Sequence, residues 1–253
     1  MARTLAITNQ KGGVGKTTTA INLAACLVER GKRVLLVDTD PQANATSGLG
    51  FDKASISRSV YEAIVNGVAL HQVVMLTNRV GLDLVPAASA LAGAEVELVN
   101  LERRERRLAE ALVTVRDHYD YLLVDCPPSL GLLTVNALVA ADGVLVPIQC
   151  EYLALEGLSR LIDTVGLVRS GLNPRLHLAG ILMTMYDPRT NLSAQVVQEV
   201  VKHFPREIFR TIIPRSIRLS EAPSYGKTIL EYDPTSKGAT AYRALAEELI
   251  ARG

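Results

Sequence analysis

No apolar run in this 253-residue chain approaches the ~20 residues a membrane-spanning helix needs. The first residues lead straight into a strand-like run without the charged and apolar regions of a signal peptide, so a cytoplasmic protein is expected. Cysteine is scarce: Cys26, Cys126 and Cys150 are far apart, odd in number and without C-x-x-C spacing. That excludes a disulfide framework and predicts reduced core thiols. Charge of one sign is also missing. A net charge of +1 leaves no global nucleic-acid footprint, so any such contact has to come from a local patch. No internal repeat, linker or low-complexity stretch interrupts the chain. What is present, 48% hydrophobic and 21% charged residues, suits a globular protein with a substantial core.

The stretch Asn9-Gln10-Lys11-Gly12-Gly13-Val14-Gly15-Lys16-Thr17-Thr18-Thr19 dominates the N-terminal part. It follows the short apolar run Leu5-Ala6-Ile7 and precedes Ala20-Ile21-Asn22-Leu23-Ala24-Ala25, which has helical spacing. A glycine-rich turn between strand and helix points several backbone N–H groups at one spot, and the helix start adds its own unpaired donors. The stretch therefore predicts a phosphate-binding loop, with Lys16 reaching the β- and γ-phosphates and the Thr17 hydroxyl ligating Mg²⁺. It departs from G-x-x-x-x-G-K-[ST]: Gln10 stands where glycine is expected, and Lys11 is additional. Lys16 and the amides already surround the phosphates, so Lys11 is expected to point away, toward the nucleotide of a second copy. That implies a dimer with ATP at its interface.

Downstream, Arg33-Val34-Leu35-Leu36-Val37 and Tyr121-Leu122-Leu123-Val124 are continuous apolar strands of the kind buried on both faces of a parallel sheet. Both end in aspartate. Asp38 and Asp40 suit a Mg²⁺ shell or the placing of an attacking water, or one of them simply caps the next segment of chain. Asp125 is expected to hold Mg²⁺ directly or through water. Ala43–Gly50 reads as a mobile loop able to sense a γ-phosphate. Helices are predicted over 17–30, 57–66, 89–100, 102–117, 130–141, 152–169, 192–203 and 236–252. Further strands are predicted over 81–86, 143–148, 178–183 and 208–213. In the 102–117 helix, Arg103, Arg104, Arg106 and Arg107 alternate with Glu102 and Glu105 as a solvated, mutually paired face. The strand–helix alternation predicts one α/β domain over 1–253, a mostly parallel twisted sheet covered by helices on both faces.

With the loop, Asp38-Thr39-Asp40-Pro41-Gln42 and Asp125-Cys126-Pro127-Pro128 side by side, the chain resembles the ParA/Soj family of chromosome- and plasmid-partitioning ATPases. Lys11 to Thr17 matches that family's K-G-G-x-G-K-[ST] at every position. The likeness runs on through Gln149-Cys150-Glu151-Tyr152 and Ile213-Pro214-Arg215 to Leu219-Ser220-Glu221-Ala222-Pro223, toward the chromosomal Soj-like branch without a separate DNA-binding domain.

The resemblance implies a phosphate-loop ATPase using ATP and Mg²⁺. Lys11 would be the signature lysine reaching the partner's nucleotide in an ATP sandwich dimer, and Gly12 would face that partner. Gly13, Val14 and Gly15 would complete the cradle, and Lys16 would bind the β- and γ-phosphates. Thr17 would ligate Mg²⁺ and Thr18 would contact the α-phosphate. Asp40 would be the switch residue needed for hydrolysis, placed with Asp125 near the metal. Pro214 and Arg215 would lie against adenine, and Arg189 and Arg218 would bind DNA non-specifically. A ParB-like centromere-binding protein would be the partner, and the location cytoplasmic and nucleoid-associated. Over the same stretch Lys202, Arg206, Arg210, Arg215, Arg218 and Lys227 outnumber Glu207 and Glu221, a patch that a dimer doubles.

Three other readings have less behind them. A membrane-cycling ATPase of the MinD type wants a basic amphipathic C-terminal helix. Residues 241–252 instead carry Glu247 and Glu248, with Tyr242 as the one aromatic. A small-molecule synthetase wants a polar substrate constellation that the sequence does not display. A nitrogenase-type iron protein wants a second cysteine in the context of Cys126.

Overall fold

A computed structural model describes residues 2–151 and 154–252. In chain order the elements are β1 (Arg3–Ile7), α1 (Lys16–Glu29), β2 (Val34–Asp38), α2 (Asn44–Gly48), α3 (Val60–Ile64), β3 (Met75–Leu76), β4 (Leu82–Val85), α4 (Leu91–Leu98), α5 (Arg107–Val113) and β5 (Tyr121–Asp125). They continue with α6 (Leu132–Ala140), β6 (Gly143–Gln149), α7 (Ala154–Gly171), β7 (His177–Tyr186), α8 (Asn191–His203), β8 (Ile208–Pro214), α9 (Ile217–Glu221), α10 (Ile229–Tyr232) and α11 (Lys237–Ala251).

The eight strands form one sheet in the order β3-β4-β2-β5-β1-β6-β7-β8. Every pairing is parallel except β3 with β4. Apolar strands on both faces demand two helical layers, and successive side chains feed them alternately. Leu5, Ile7, Leu36 and Leu123 pack with Leu23 and Leu27 of α1 and with Tyr242, Leu245 and Leu249 of α11. Ala6, Leu35, Val37 and Val124 pack on the opposite side with Leu108, Ala137, Leu138 and Leu161. The doubly covered α/β sheet is as expected from the sequence.

The register sets the site. β1 lies between β5 and β6, and Ile7 stands beside Asp125, which in turn stands beside Asp38. The phosphate loop thus leaves the centre of the sheet at its carboxyl edge, where ligands of open α/β sheets bind. Helix α1 ends as its sequence predicts, with Gly31 in the left-handed region (φ 74) just past the C-cap.

Several local expectations fail. The mobile loop at 43–50 is instead the short helix α2, because Thr46 is buried and tied down at both its N–H and its hydroxyl. The long helix at 102–117 is the much shorter α5, followed by a 3₁₀ turn at Arg116–His118. Arg103 interrupts it with a φ of 53. Arg103 and Arg104 do pair with Glu110 and Glu105. Arg106 and Arg107 instead donate to the carbonyls of Leu172 and Ile64, tying α5 to the ends of α7 and α3. The first two residues of the helix predicted from 152 lie outside the described residues. Strand β3 was not foreseen.

Candidate nucleotide site

Two cavities meet at the start of α1. One, of about 290 Å³, is lined by Gly12, Gly13, Gly15, Lys16, Thr17, Thr18, Asp40, Gln42, Asn44, Pro128 and Met185. The other, of about 300 Å³, is more apolar and lies against Thr184, Ile213, Pro214, Arg215, Ile217, Leu219 and Tyr242. Gly15, Thr18 and Met185 border both. The predicted phosphate residues and the predicted base residues therefore fall into adjoining halves of one hollow.

The loop is built by its glycines and by anchors from neighbouring strands. Gly13 (φ 74) and Gly15 (φ 85) take a backbone form that only glycine adopts freely. Asn9 accepts from the Lys11 amide at 3.0 Å and donates to the Pro147 carbonyl at 2.8 Å. The Thr184 hydroxyl donates to the Val14 carbonyl at 2.9 Å, fixing the loop to β7. Lys16 is buried, and its Nζ spans the loop to donate to the Lys11 carbonyl at 3.1 Å. Burial lowers its pKa, opposed by the nearby Asp125 and Asp40 carboxylates. A buried ammonium facing carboxylates and amides is suited to polyphosphate.

Lys11 lies outside this lining. Its Nζ is 2.8 Å from Glu151 Oε2, a half-exposed pair. Gly12 has no positive φ, and a Cβ there would meet nothing within 4 Å. Nothing in the described residues requires glycine at that position.

The two aspartates of the β2 exit separate into different tasks. Asp38 is fully buried and accepts from the Asp40 amide (3.1 Å), the Thr46 amide (2.8 Å) and the Thr46 hydroxyl (2.7 Å). Burial pushes its carboxyl up to about 6 despite those bonds. It clamps the turn into α2, the capping role that the spacing left open. Asp40 instead lines the phosphate cavity, its Oδ1 accepting from the Gln42 amide at 2.9 Å.

Asp125 is also fully buried, yet among the described residues neither of its oxygens has a hydrogen-bond partner. Burial and the adjacent Asp38 charge raise its pKa well above the ordinary value, while Thr17 and Lys16 are near enough to pull it back. Two orphaned carboxylate oxygens beside a threonine hydroxyl and a phosphate cradle fit a hard divalent cation completed by phosphate oxygens and water. The Cys126 thiol, raised by burial and then by Asp125, is protonated and inert.

The two arginines expected on DNA lie at the surface but are not free. Arg189 makes a fork to Asp187, Nε at 2.9 Å and Nη2 at 2.7 Å. Arg218 lies near Glu221 (3.2 Å), Asp233 (3.7 Å) and the face of Tyr232. Sequence reasoning missed Thr46, Met185 and Tyr242. The first two carry no motif; the third shows only as a buried helical position.

A family model described as an AAA domain matches residues 2–178. The sporulation initiation inhibitor protein Soj of Bacillus subtilis is 56% identical over 253 residues, covering 100% of both chains. The chromosome-partitioning ATPase Soj of Thermus thermophilus is 56% identical over 251 residues, 99% of this chain and 96% of that one. The chain belongs to the ParA/Soj family of chromosome-partitioning ATPases. Among solved structures, cobyrinic acid a,c-diamide synthase from Mycobacterium smegmatis, bound to an ATP analogue and magnesium, superposes with a TM-score of 0.88 at 40% identity. That match covers 99% of this chain and 95% of the synthase chain. No helix among the described residues is long and apolar enough to cross a membrane.

Proposed function

We propose that the chain is an ATP-driven switch for chromosome segregation. The observation that carries this reading is the division of labour between the two loop lysines: Lys16 is buried inside the cradle, while Lys11 is held outside it by Glu151. A cationic residue beside the cradle, next to a glycine that nothing among the described residues requires, supports a site completed by a second copy. In this reading the triphosphate lies on the amides of Gly13 to Thr18, and the base lies against Pro214 and Arg215. Thr17 and Asp125, with Asp40 close by, would hold Mg²⁺, whose charge would offset that of the phosphates. Lys11 leaves Glu151 for the partner's nucleotide, and Gly12 allows the two loops to close. Asp40 positions the attacking water, so hydrolysis and dimer release are one event.

The dimer is the form that binds double-stranded DNA without sequence preference, through Arg189, Arg218 and the surrounding cations. Doubling the number of phosphate contacts strengthens binding steeply, since neutralising roughly 6–10 phosphates is worth ~10³–10⁵ in affinity between low and moderate salt. A ParB-like centromere-binding protein stimulates turnover, and the protein is cytoplasmic and nucleoid-associated. Co-sedimentation with DNA in ATP, in ADP and without nucleotide tests this reading. Binding confined to ATP, and persisting in Asp40→Ala while turnover stops, is the expected result. Equal binding in all three conditions, or wild-type turnover in Asp40→Ala, overturns it. A synthetase that resembles the mycobacterial enzyme in activity would show no nucleotide-dependent DNA binding at all.

A further inference from the structure

A separate cavity of about 160 Å³ lies between α7, β6 and the start of β7. It shares no lining residue with the two halves of the nucleotide hollow. The start of β7 is at the amino edge of the parallel sheet, opposite the edge that carries the phosphate loop. Leu161, Ile162 and Val165 of α7 form one wall, and Val146, Leu176 and Leu178 form the other. The connection from α7 to β7 is fixed, because Asn173 is buried and its amide donates to the Leu138 carbonyl at 3.0 Å and the Ala141 carbonyl at 2.7 Å. The hollow is thus built into the fold.

Gly166 keeps the helix side of it open. A glycine inside a helix destabilises it relative to alanine, and no described neighbour requires one here. Its φ is not positive, and a Cβ would meet nothing within 4 Å. The space that a side chain would take belongs to the cavity. At the mouth stand Arg169 and His177, both exposed. Among the described residues neither side chain has a hydrogen-bond or ion-pair partner. Asp142 does not serve them. Its carbonyl accepts from the His177 amide at 3.2 Å, but its carboxylate is taken up by Arg116 at 2.6 Å and the Thr4 amide at 2.8 Å.

We propose that this cavity is a binding site for a small monocarboxylate with a ring-sized apolar body, the body between α7 and the sheet and the carboxylate on Arg169 and His177. Size sets the body, since an aliphatic cavity of about 150 Å³ stays dry and takes a benzene ring. The mouth sets the polar end. A guanidinium holds a carboxylate through two parallel N–H···O bonds, and one guanidinium matches its single charge. The site is independent of the nucleotide reading, because it lies on other residues at the other edge of the sheet.

The test titrates the full chain, methyl-labelled for NMR, with two probes: phenylacetate, and benzyl alcohol as a neutral molecule with the same ring. Phenylacetate is expected to give saturable shifts at the methyls of Leu161, Val165, Leu176 and Leu178, and to bind about tenfold more tightly than benzyl alcohol. Arg169→Met should remove that tenfold advantage and leave benzyl alcohol within about twofold. Gly166→Leu fills the cavity and should weaken both probes at least tenfold, with circular dichroism verifying the fold. If the leucine does not fit, Gly166→Ala replaces it, with an expected loss of about threefold. Shifts that do not saturate, or that fall on methyls elsewhere, overturn the proposal. So does unchanged affinity in the folded Gly166 variant. Benzyl alcohol binding as tightly as phenylacetate overturns the assignment to a carboxylate, since the mouth would then select no anion.

Discussion

Gly50 and Gly226 meet backbone to backbone: a Cβ built on Gly226 would stand 2.6 Å from the Gly50 Cα and 3.1 Å from its nitrogen. Both residues have positive φ, 90 and 63. Gly50 follows α2, the helix that Asp38 clamps, and Gly226 ends the turn after α9, which carries Arg218. The nucleotide-facing turn and the arginine-bearing segment are thus in direct contact, with no flexible side chain between them to absorb a change.

Gly226→Ala should therefore lower stability by roughly 2–5 kcal/mol, the sum of a strained left-handed alanine and an overpacked backbone contact. Gly166→Ala is the contrast. It lies inside α7, has no positive φ, and its Cβ would meet nothing within 4 Å, so a gain of about 0.5–1 kcal/mol is expected. Urea midpoints measure both. A Gly226→Ala protein as stable as the unaltered chain would show that the two glycines do not touch in solution.

Glu248 closes the outer edge of the sheet. Its carboxylate accepts from the Arg210 and Thr211 amides of edge strand β8 at 2.9 and 3.0 Å, and from Arg252 at 2.7 Å. Glu248→Ala leaves those donors without their acceptor and should cost about 1–2 kcal/mol. Burial pushes the carboxyl up, but the amide and hydroxyl bonds from Arg210 and Thr211 outweigh it and hold the pKa below the ordinary value. With a depressed folded value, the contribution is present above the unfolded value of roughly 4.3 and is lost as pH falls through the folded one. The stability gap between wild type and variant should accordingly close in acid.

The strands around the site were legible because a parallel sheet covered on both faces needs unbroken apolar runs, and Leu35–Val37 and Leu122–Val124 are such runs. The phosphate loop was legible because glycine spacing states backbone geometry directly. Asp38 and Asp40 look alike in sequence and differ in the structure, because the partner that occupies Asp38 is Thr46, eight residues on, reached only once α2 folds back. The arginines at 103–107 misled for a related reason. Alternating charge reads as a solvated helix, but three of these guanidinium groups, those of Arg104, Arg106 and Arg107, reach carbonyls at the ends of other elements, contacts that local periodicity does not encode. Met185 gave no signal, since a left-handed φ on a non-glycine residue has no signature in composition or spacing.

The three cysteines should be chemically silent in the folded protein. All are buried; burial pushes Cys26 up to about 12 and Cys150 up to about 11, and lifts Cys126 as well. Raised thiol values mean almost no thiolate at pH 8, and the thiolate is the species that reacts. Iodoacetamide at that pH should add nothing to the native chain and three carbamidomethyl groups to the urea-unfolded one, by intact mass. Labelling of a single native cysteine would identify a site that opens locally.

The Asp187–Arg189 fork makes a prediction that a bare exposed arginine would not. Arg189 holds the Asp187 carboxyl down to about 2, so the pair is fully ionised at neutral pH and the guanidinium is partly neutralised before DNA arrives. Asp187→Asn keeps the local turn, because an amide oxygen can still accept from the Arg189 amide as Asp187 Oδ1 does at 3.0 Å. It removes the competing charge and leaves Arg189 free to meet phosphate. With ATP and Mg²⁺, Asp187→Asn should bind DNA about two- to fivefold more tightly, the scale of an exposed ion pair, while Arg189→Ala binds more weakly. The two substitutions act through one guanidinium, so Asp187→Asn should have no strengthening effect in an Arg189→Ala background. Titrations at several salt concentrations decide it, since losing a phosphate contact flattens the dependence of log affinity on log salt by about one unit. Tighter binding by Asp187→Asn that survives the loss of Arg189 would mean that the gain is a general charge effect and that Arg189 does not contact the backbone.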